Sequence, residues 1–270
     1  MYIEWFFLNL YMTKNNPIGL FDSGIGGTTI WREVHKLLPN EDTIFIGDQL
    51  NAPYGIKTQS EIIALSLKNV ECLLQLNCKL IIIACNTATT NAIKEIRQQF
   101  QVPIIGIEPA IKPATSLTKT STIGVLATKG TITSDLFSSK LKLYPNVKII
   151  EQIGYNIVNL IESGKTNTPE MRALLKEYLD PMIAQGMDTL VLGCTHYPYL
   201  KPILTELLGD SITIIDSGKA VAKQTKNVLQ DLDLLNNKTS IGKCLFYTNT
   251  DTTILQSFLD DGDIAEYKNF

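Results

Sequence analysis

Two stretches of the chain set a cysteine in the same surroundings. In LIIIACNTATTNAI, residues 80–93, four apolar residues and Ala84 lead into Cys85 and a dense polar run. In TLVLGCTHYPYL, residues 189–200, an apolar run and Gly193 lead into Cys194. Asn86, Thr87 and Thr89 follow the first cysteine, and Thr195 and His196 follow the second. A thiol just past a buried strand, where a helix is about to start, is expected to gain thiolate character, because aligned backbone dipoles favour negative charge there. Two acid/base groups on opposite faces of one carbon are what stereoinversion requires. One thiolate removes a proton from a stereocentre, and the opposing thiol returns one to the other face.

The competing reading is that both cysteines are small buried hydrophobes, which is the reading adopted for Cys72, Cys78 and Cys244. A zinc site from Cys85, Cys194 and His196 is disfavoured, since no CxxC or HxxxH spacing supplies a fourth ligand, and no metal is expected. Five cysteines make an odd count, unlike a disulfide framework. A cytoplasmic protein with free thiols is the expectation.

The elements that must position these groups alternate in type. PIGLF (17–21), TIFIG (43–47), KLIIIA (79–84) and VPIIGI (102–107) read as buried strands, with helical spacing of apolar residues between them. The pattern then restarts with STIGVLA (121–127), NVKIIE (146–151), DTLVLG (188–193) and SITIID (211–216), with one helix expected across GTITSDLFSSKL (130–141). A further helix, a short strand KCLFYT and a last helix near TTILQSFLDD complete the chain. Strand–helix alternation implies parallel strands with helices on both faces.

The halves read as copies. IGLFDSGIGGTTI (from 18) echoes IGVLATKGTITSD (from 123) at an offset of 105, and the two cysteines (85 and 194) are offset by 109. A duplicated α/β unit would bring the loops after its strands together in one cleft, where open α/β sheets bind ligands.

A chain of 270 residues suits two domains with ample core. With 44% hydrophobic and 19% charged residues it has the composition of a globular protein. A net charge of −3 and no basic stripe argue against nucleic acid. The start, MYIEWFFLNLYM, is apolar but shorter than the roughly 20 residues that span a bilayer, and Glu4 stands where a signal peptide would be basic. Residues 1–12 read as a peripheral extension, with Met12 as an alternative start, and no membrane association is expected.

FDSGIGGTT follows the first strand. Its glycines allow a tight turn and close approach of a ligand to backbone amides. It is neither a Walker A loop nor GxGxxG. Asp22 ends the strand, as a turn carboxylate or a proton relay beside Cys85. NAPYG (51–55) is a turn whose Tyr54 and Gly55 amides suit an anion.

Taken together, GLFDSGIGG, DQLNAPYG, ACNTATT, GIEPA, LGCTHYPYL and IIDSG, spread from Ile18 to Gly218, resemble the glutamate racemases of the aspartate/glutamate racemase superfamily. The resemblance implies that Cys85 and Cys194 are the catalytic thiols, with Asp22 the auxiliary of the first and His196 of the second. It implies substrate contacts at Asp22, Ser23, Tyr54, Gly55, Asn86, Thr87, Thr195 and His196. GYNIVNLIESG offers Glu162 as a further auxiliary glutamate, or else a plain helix-surface residue. Gly154, Tyr155 and Asn159 depart from the family pattern there.

The implied fold is α/β: two pseudo-symmetric, parallel-sheet, flavodoxin-like domains with the active site in the cleft between them. Residues 13–107 with 218–270 would form the first domain and 108–217 the second. The implied reaction is L- to D-glutamate interconversion for peptidoglycan synthesis, with no cofactor. A homodimer is one assembly this allows. The rival readings are an aspartate racemase, a two-lobed small-anion binding protein that has no need of the thiols, and a thiol-redox protein whose cysteines would have to lie within bonding reach.

Overall fold

The computed structural model describes residues 12–270. The expectation for a peripheral segment at 1–12 therefore lies, apart from Met12, outside the described residues.

Among the described residues ten strands form two sheets. In chain order they are β1 (Ile18–Asp22), β2 (Thr43–Gly47), β3 (Leu80–Ile83), β4 (Ile104–Gly106), β5 (Thr122–Ala127), β6 (Lys148–Ile153), β7 (Thr189–Gly193), β8 (Thr213–Ile215), β9 (Cys244–Thr248) and β10 (Ala265–Tyr267). The first sheet has the order β10-β9-β2-β1-β3-β4 and the second β6-β5-β7-β8. Every pairing is parallel. The central strands β1, β2, β3, β5 and β7 are buried along their whole length. Their unbroken apolar runs follow from helices covering both faces.

The order β2-β1-β3-β4 matches β6-β5-β7-β8 strand for strand, so the duplication visible in the sequence continues into the topology. β1 lies between β2 and β3, with Ile18 beside Thr43 and Leu80. β5 lies between β6 and β7, with Ile123 beside Ile149 and Thr189. Cys85 and Cys194 leave equivalent strands, β3 and β7. One apolar cluster runs through both halves, from Leu20 and Ile82 to Leu126, Leu192 and Leu204.

The C-terminal segment returns to the first sheet, where β9 pairs with β2. Glu41 helps to hold it there. This carboxylate is buried against Lys79 Nζ at 2.6 Å and accepts the Asn236 amide N–H at 2.6 Å. Lys238 Nζ binds Asp42 at 2.6 Å alongside. A buried ion pair adds little net stability, but removing either partner would strand a charge.

Two local expectations change. The single helix over 130–141 is two, Lys129–Ile132 and Asp135–Leu141. Ser134 ends the first turn by donating to Thr131 O and starts the second helix by accepting the Phe137 N–H. β10 was not anticipated, because two of its three residues are exposed at the sheet edge and carry no apolar signature.

Candidate active site

Cys85 caps the helix Asn86–Gln99. Its Sγ accepts the Ala88 N–H at 3.5 Å and donates to Ser23 Oγ at 3.6 Å. Asp22, at the end of β1, is fully buried behind Ser23. Its Oδ1 accepts the Ser23 N–H at 2.7 Å, and its Oδ2 accepts the Thr195 hydroxyl at 3.0 Å, from the other half of the molecule. Burial, reinforced by the Asp22 charge, pushes the Cys85 thiol well above its ordinary range, and the Ala88 and Ser23 hydrogen bonds do not offset it. The expectation that a helix start would favour thiolate at Cys85 is thus reversed, because desolvation outweighs the dipole. Burial also raises the Asp22 carboxyl, against the opposing pull of His196 and three hydrogen bonds.

Cys194 follows β7, but the next element is a four-residue 3-10 turn, Tyr197–Leu200, and the α-helix Lys201–Leu208 begins only after it. The helix-start argument therefore applies to Cys85 alone. Cys194 has a histidine instead. His196 Nδ1 lies 3.7 Å from the sulfur, and its Nε2 lies 2.5 Å from Glu162 Oε1. Burial alone would lower the His196 pKa, but the hydrogen bonds and charges of Cys194 and Glu162 carry it well above the ordinary histidine value. Burial likewise opposes the Glu162 charge, yet His196, the Ile25 N–H and Gln49 hold that carboxyl below its usual range. These shifts favour an imidazolium–carboxylate pair, with Nε2 toward Glu162 and Nδ1 toward the Cys194 sulfur. Glu162 is therefore not a plain helix-surface residue.

The glycines of FDSGIGG make room for this pair. A Cβ on Gly24 would lie 1.9 Å from Glu162 Oε1, and one on Gly26 would lie 2.3 Å from His196 Nδ1. The close approach expected there for a ligand is made by the protein's own side chains.

The two thiols meet at one narrow pocket with only ≈ 10 Å³ of water-accessible space. Cys85 and Cys194 both line it, with Ser23, Tyr54, Gly55, Asn86, Thr87, Thr195 and His196. Asp22 and Glu162 stand behind this lining. Sequence reasoning missed three further lining residues, Pro53, Thr128 and Val158. Thr128 had a signal, since IGVLATKG aligns it with Ser23 of the first half. Its hydroxyl lies 2.8 Å from that of Thr87. Tyr54 turns its hydroxyl away, donating to Asp48 Oδ2 at 2.5 Å. Burial and the Asp48 charge keep this phenol neutral. Asn86 Nδ2 is buried without a hydrogen-bond partner. Among the described residues no cluster of three His, Cys, Asp or Glu is arranged to hold a metal ion, and all five cysteines are free.

The sequence profile of the Asp/Glu/Hydantoin racemase family matches residues 26–225. The chain belongs to that family. It is 41% identical over 239 residues to a glutamate racemase of Herpetosiphon aurantiacus, covering 88% of this chain and 94% of that protein. The fold is similar to the crystal structure of a Bacillus anthracis glutamate racemase isoform (TM-score 0.82, 32% identity, covering 90% of this chain and 92% of that one). It is also similar to the Francisella tularensis glutamate racemase solved in complex with D-glutamate (TM-score 0.80, 31% identity, 95% and 98% covered). Racemases are isomerases, so the protein is an enzyme of that class, built on the two-sheet fold of its relatives. Among the described residues no helix is long and apolar enough to cross a membrane.

Proposed function

We propose that this racemase interconverts L- and D-glutamate by a two-base mechanism in which Cys85 and Cys194 act on opposite faces of the α-carbon. One observation carries the reading: two thiols from equivalent strands of two sheets line one small cavity, each backed by its own acidic or basic group. Relatives of similar length bear the name glutamate racemase, and one was solved with D-glutamate bound.

The α-proton of an amino acid is a weak acid, so the site must lower the barrier by placement and charge. A base held against the proton contributes through proximity. Fixed donors aimed at the carboxylate stabilise the negative charge as it develops there. The unpartnered Asn86 amide and the first backbone amides of its helix are such donors. In the L-to-D direction Cys194, beside the His196 imidazolium, removes the α-proton. Cys85, protonated at rest, delivers its own proton to the opposite face. The pair of electrons left by the first proton forms the bond to the second, and the thiols end with exchanged protonation states. The D-to-L direction runs the same steps in reverse. The thiols supply both acid and base, so the scheme needs no cofactor.

The remaining parts of the reading are that residues 13–107 with 218–270 form one lobe and 108–217 the other, and that the product feeds peptidoglycan synthesis in the cytoplasm. The test is incubation of the purified protein with L-glutamate alone, followed by circular dichroism. Decay of the signal to zero supports the proposal, and a folded protein that leaves the signal unchanged overturns it.

A further inference from the structure

Glu162 is held by more than His196. Its Oε1 accepts the Ile25 N–H at 2.8 Å as well as the imidazolium, and its Oε2 accepts Gln49 Nε2 at 3.0 Å. Gln49 is in turn held by Thr248, whose hydroxyl donates to Gln49 Oε1 at 2.8 Å. Thr248 is fully buried at the end of β9 and accepts the Thr250 N–H at 3.3 Å. The Thr250 hydroxyl also lies near, at 3.3 Å, and the Gln49 oxygen is the closer of the two acceptors for the Thr248 proton. The Gln49 amide turns its nitrogen toward Glu162, whose carboxylate can only accept, and so its oxygen toward Thr248.

The line Thr248–Gln49–Glu162–His196 ends at the Cys194 sulfur, whereas Cys85 is reached by a separate line through Ser23, Asp22 and Thr195 that does not include Gln49. We infer that Gln49, set by Thr248 of the C-terminal strand, is a positioning residue for the Cys194 half-reaction alone, an assignment that rests on the two-base reading. Gln49 is not among the residues lining the pocket of the two thiols. It fixes the plane of the Glu162 carboxylate so that Oε1 stays aligned with His196 Nε2. If the Gln49 donor is lost, only the Oε1 contacts to Ile25 and His196 remain, the carboxylate can pivot about them, and proton transfer at Cys194 slows.

A racemase has an equilibrium constant of one, so kcat/KM falls equally in both directions whichever thiol is impaired. Rates alone cannot identify the affected side, but primary deuterium isotope effects can. With 2-deuterated substrate, an impaired thiol makes its own abstraction step more rate-limiting. In the proposed two-base reading Cys194 deprotonates the L enantiomer and Cys85 the D enantiomer.

The experiment measures isotope effects on kcat/KM for both enantiomers in the wild type, Gln49→Met and Thr248→Val. Thr248→Val keeps the side-chain volume and carries the test should Gln49→Met fold poorly. The expected result is a fall in kcat/KM of about tenfold, the usual scale for a hydrogen bond to a charged group. The isotope effect should rise for the enantiomer deprotonated by Cys194 and decline for the other. Isotope effects that move together, or rates that do not change, overturn the assignment of Gln49. A folded wild type that does not racemise glutamate overturns the two-base reading, and this inference with it.

Discussion

The two walls of the cavity come from equivalent strands yet handle protons differently. On the first, a thiol at a helix start stands before a buried carboxyl, and burial raises the pKa of both. On the second, a thiol without a helix start faces an imidazolium held by a carboxylate. Duplication supplied two copies of strand, turn and cysteine. The proposed two-base reaction would require one thiol charged and one neutral at the moment of binding, which two identical environments would not provide. The difference lies in the auxiliaries, since Asp22 aligns with Ala127 and His196 with Thr87.

The sharpest way to break the comparison is to remove each thiol in turn. Cys85→Ser and Cys194→Ser should each lower racemisation by at least about 10³-fold, because a serine hydroxyl is a far weaker acid and one face loses its base. The surviving thiol should still work on its own face. With an analogue carrying a β leaving group, Cys85→Ser should eliminate from the L enantiomer and Cys194→Ser from the D enantiomer. Equal loss of both eliminations in both variants would mean that the walls do not act independently. Racemisation at the wild-type rate by either variant would remove that cysteine from the mechanism.

A substitution confined to the second wall comes next. Gly26→Ala would put a methyl group 2.3 Å from the His196 ring, so the imidazole must shift by a substantial part of an ångström. Misplacement on that scale costs about 10²-fold in rate. D-side elimination, which depends on Cys85, should be largely spared. If both eliminations fall together, the loop serves both walls and the comparison weakens.

The parts of this arrangement that could be read in the sequence were those set by short-range pattern. Buried parallel strands announce themselves as unbroken apolar runs, so β2 and its neighbours lie within a few residues of where the pattern puts them. The cysteines were legible because each ends such a run. Burial depth was not legible, and it decides the protonation of Cys85, where desolvation reverses the effect of the helix start. Glu162 was reached through the resemblance alone, as a doubtful residue. Its bond to His196 depends on a helix whose sequence has little family signature. Gln49 and Thr248 are 199 positions apart, and nothing local in either segment marks the contact.

Glu162→Gln tests the charge of the second wall with little change in shape. It removes a charged partner of His196, so kcat/KM should fall between about tenfold and a hundredfold. The pH profile carries the sign. In the wild type Glu162 raises the His196 pKa above 6.5, so the imidazolium persists through neutral pH and is lost only as pH rises through that raised value. Without the carboxylate the His196 pKa falls, and the alkaline limb of activity should move to lower pH. Stability follows the same linkage. The His196 contribution is complete below its unfolded pKa and is lost as pH rises through the folded one. The Glu162 contribution is present above its unfolded pKa and is lost as pH falls through its lowered folded value. The wild type should therefore show a stability plateau between these limits that the variant lacks, measurable by thermal unfolding across pH. An alkaline limb that does not move would show that His196 titration does not limit the reaction.

The smallest effect concerns the residue after each cysteine. Thr195 follows Cys194 and donates to Asp22, so its hydroxyl is satisfied within the protein. Asn86 follows Cys85, and its amide nitrogen is buried with no partner. A buried donor left unpaired costs about 1–3 kcal/mol, which a protein retains where a ligand completes the bond. Asn86→Ala should therefore affect the two states of the enzyme in opposite ways. The free protein loses no internal hydrogen bond through that nitrogen, so its unfolding midpoint should hold or rise slightly. The substrate loses a donor, so KM should rise about fivefold, with kcat less affected if the amide binds ground and transition states alike. Thr195→Val should do the reverse, lowering the midpoint by stripping Asp22 of a hydrogen bond in a fully buried site. A fall in midpoint for Asn86→Ala with KM unchanged would make Asn86 a structural residue and would leave the helix amides as the remaining substrate donors on the first wall.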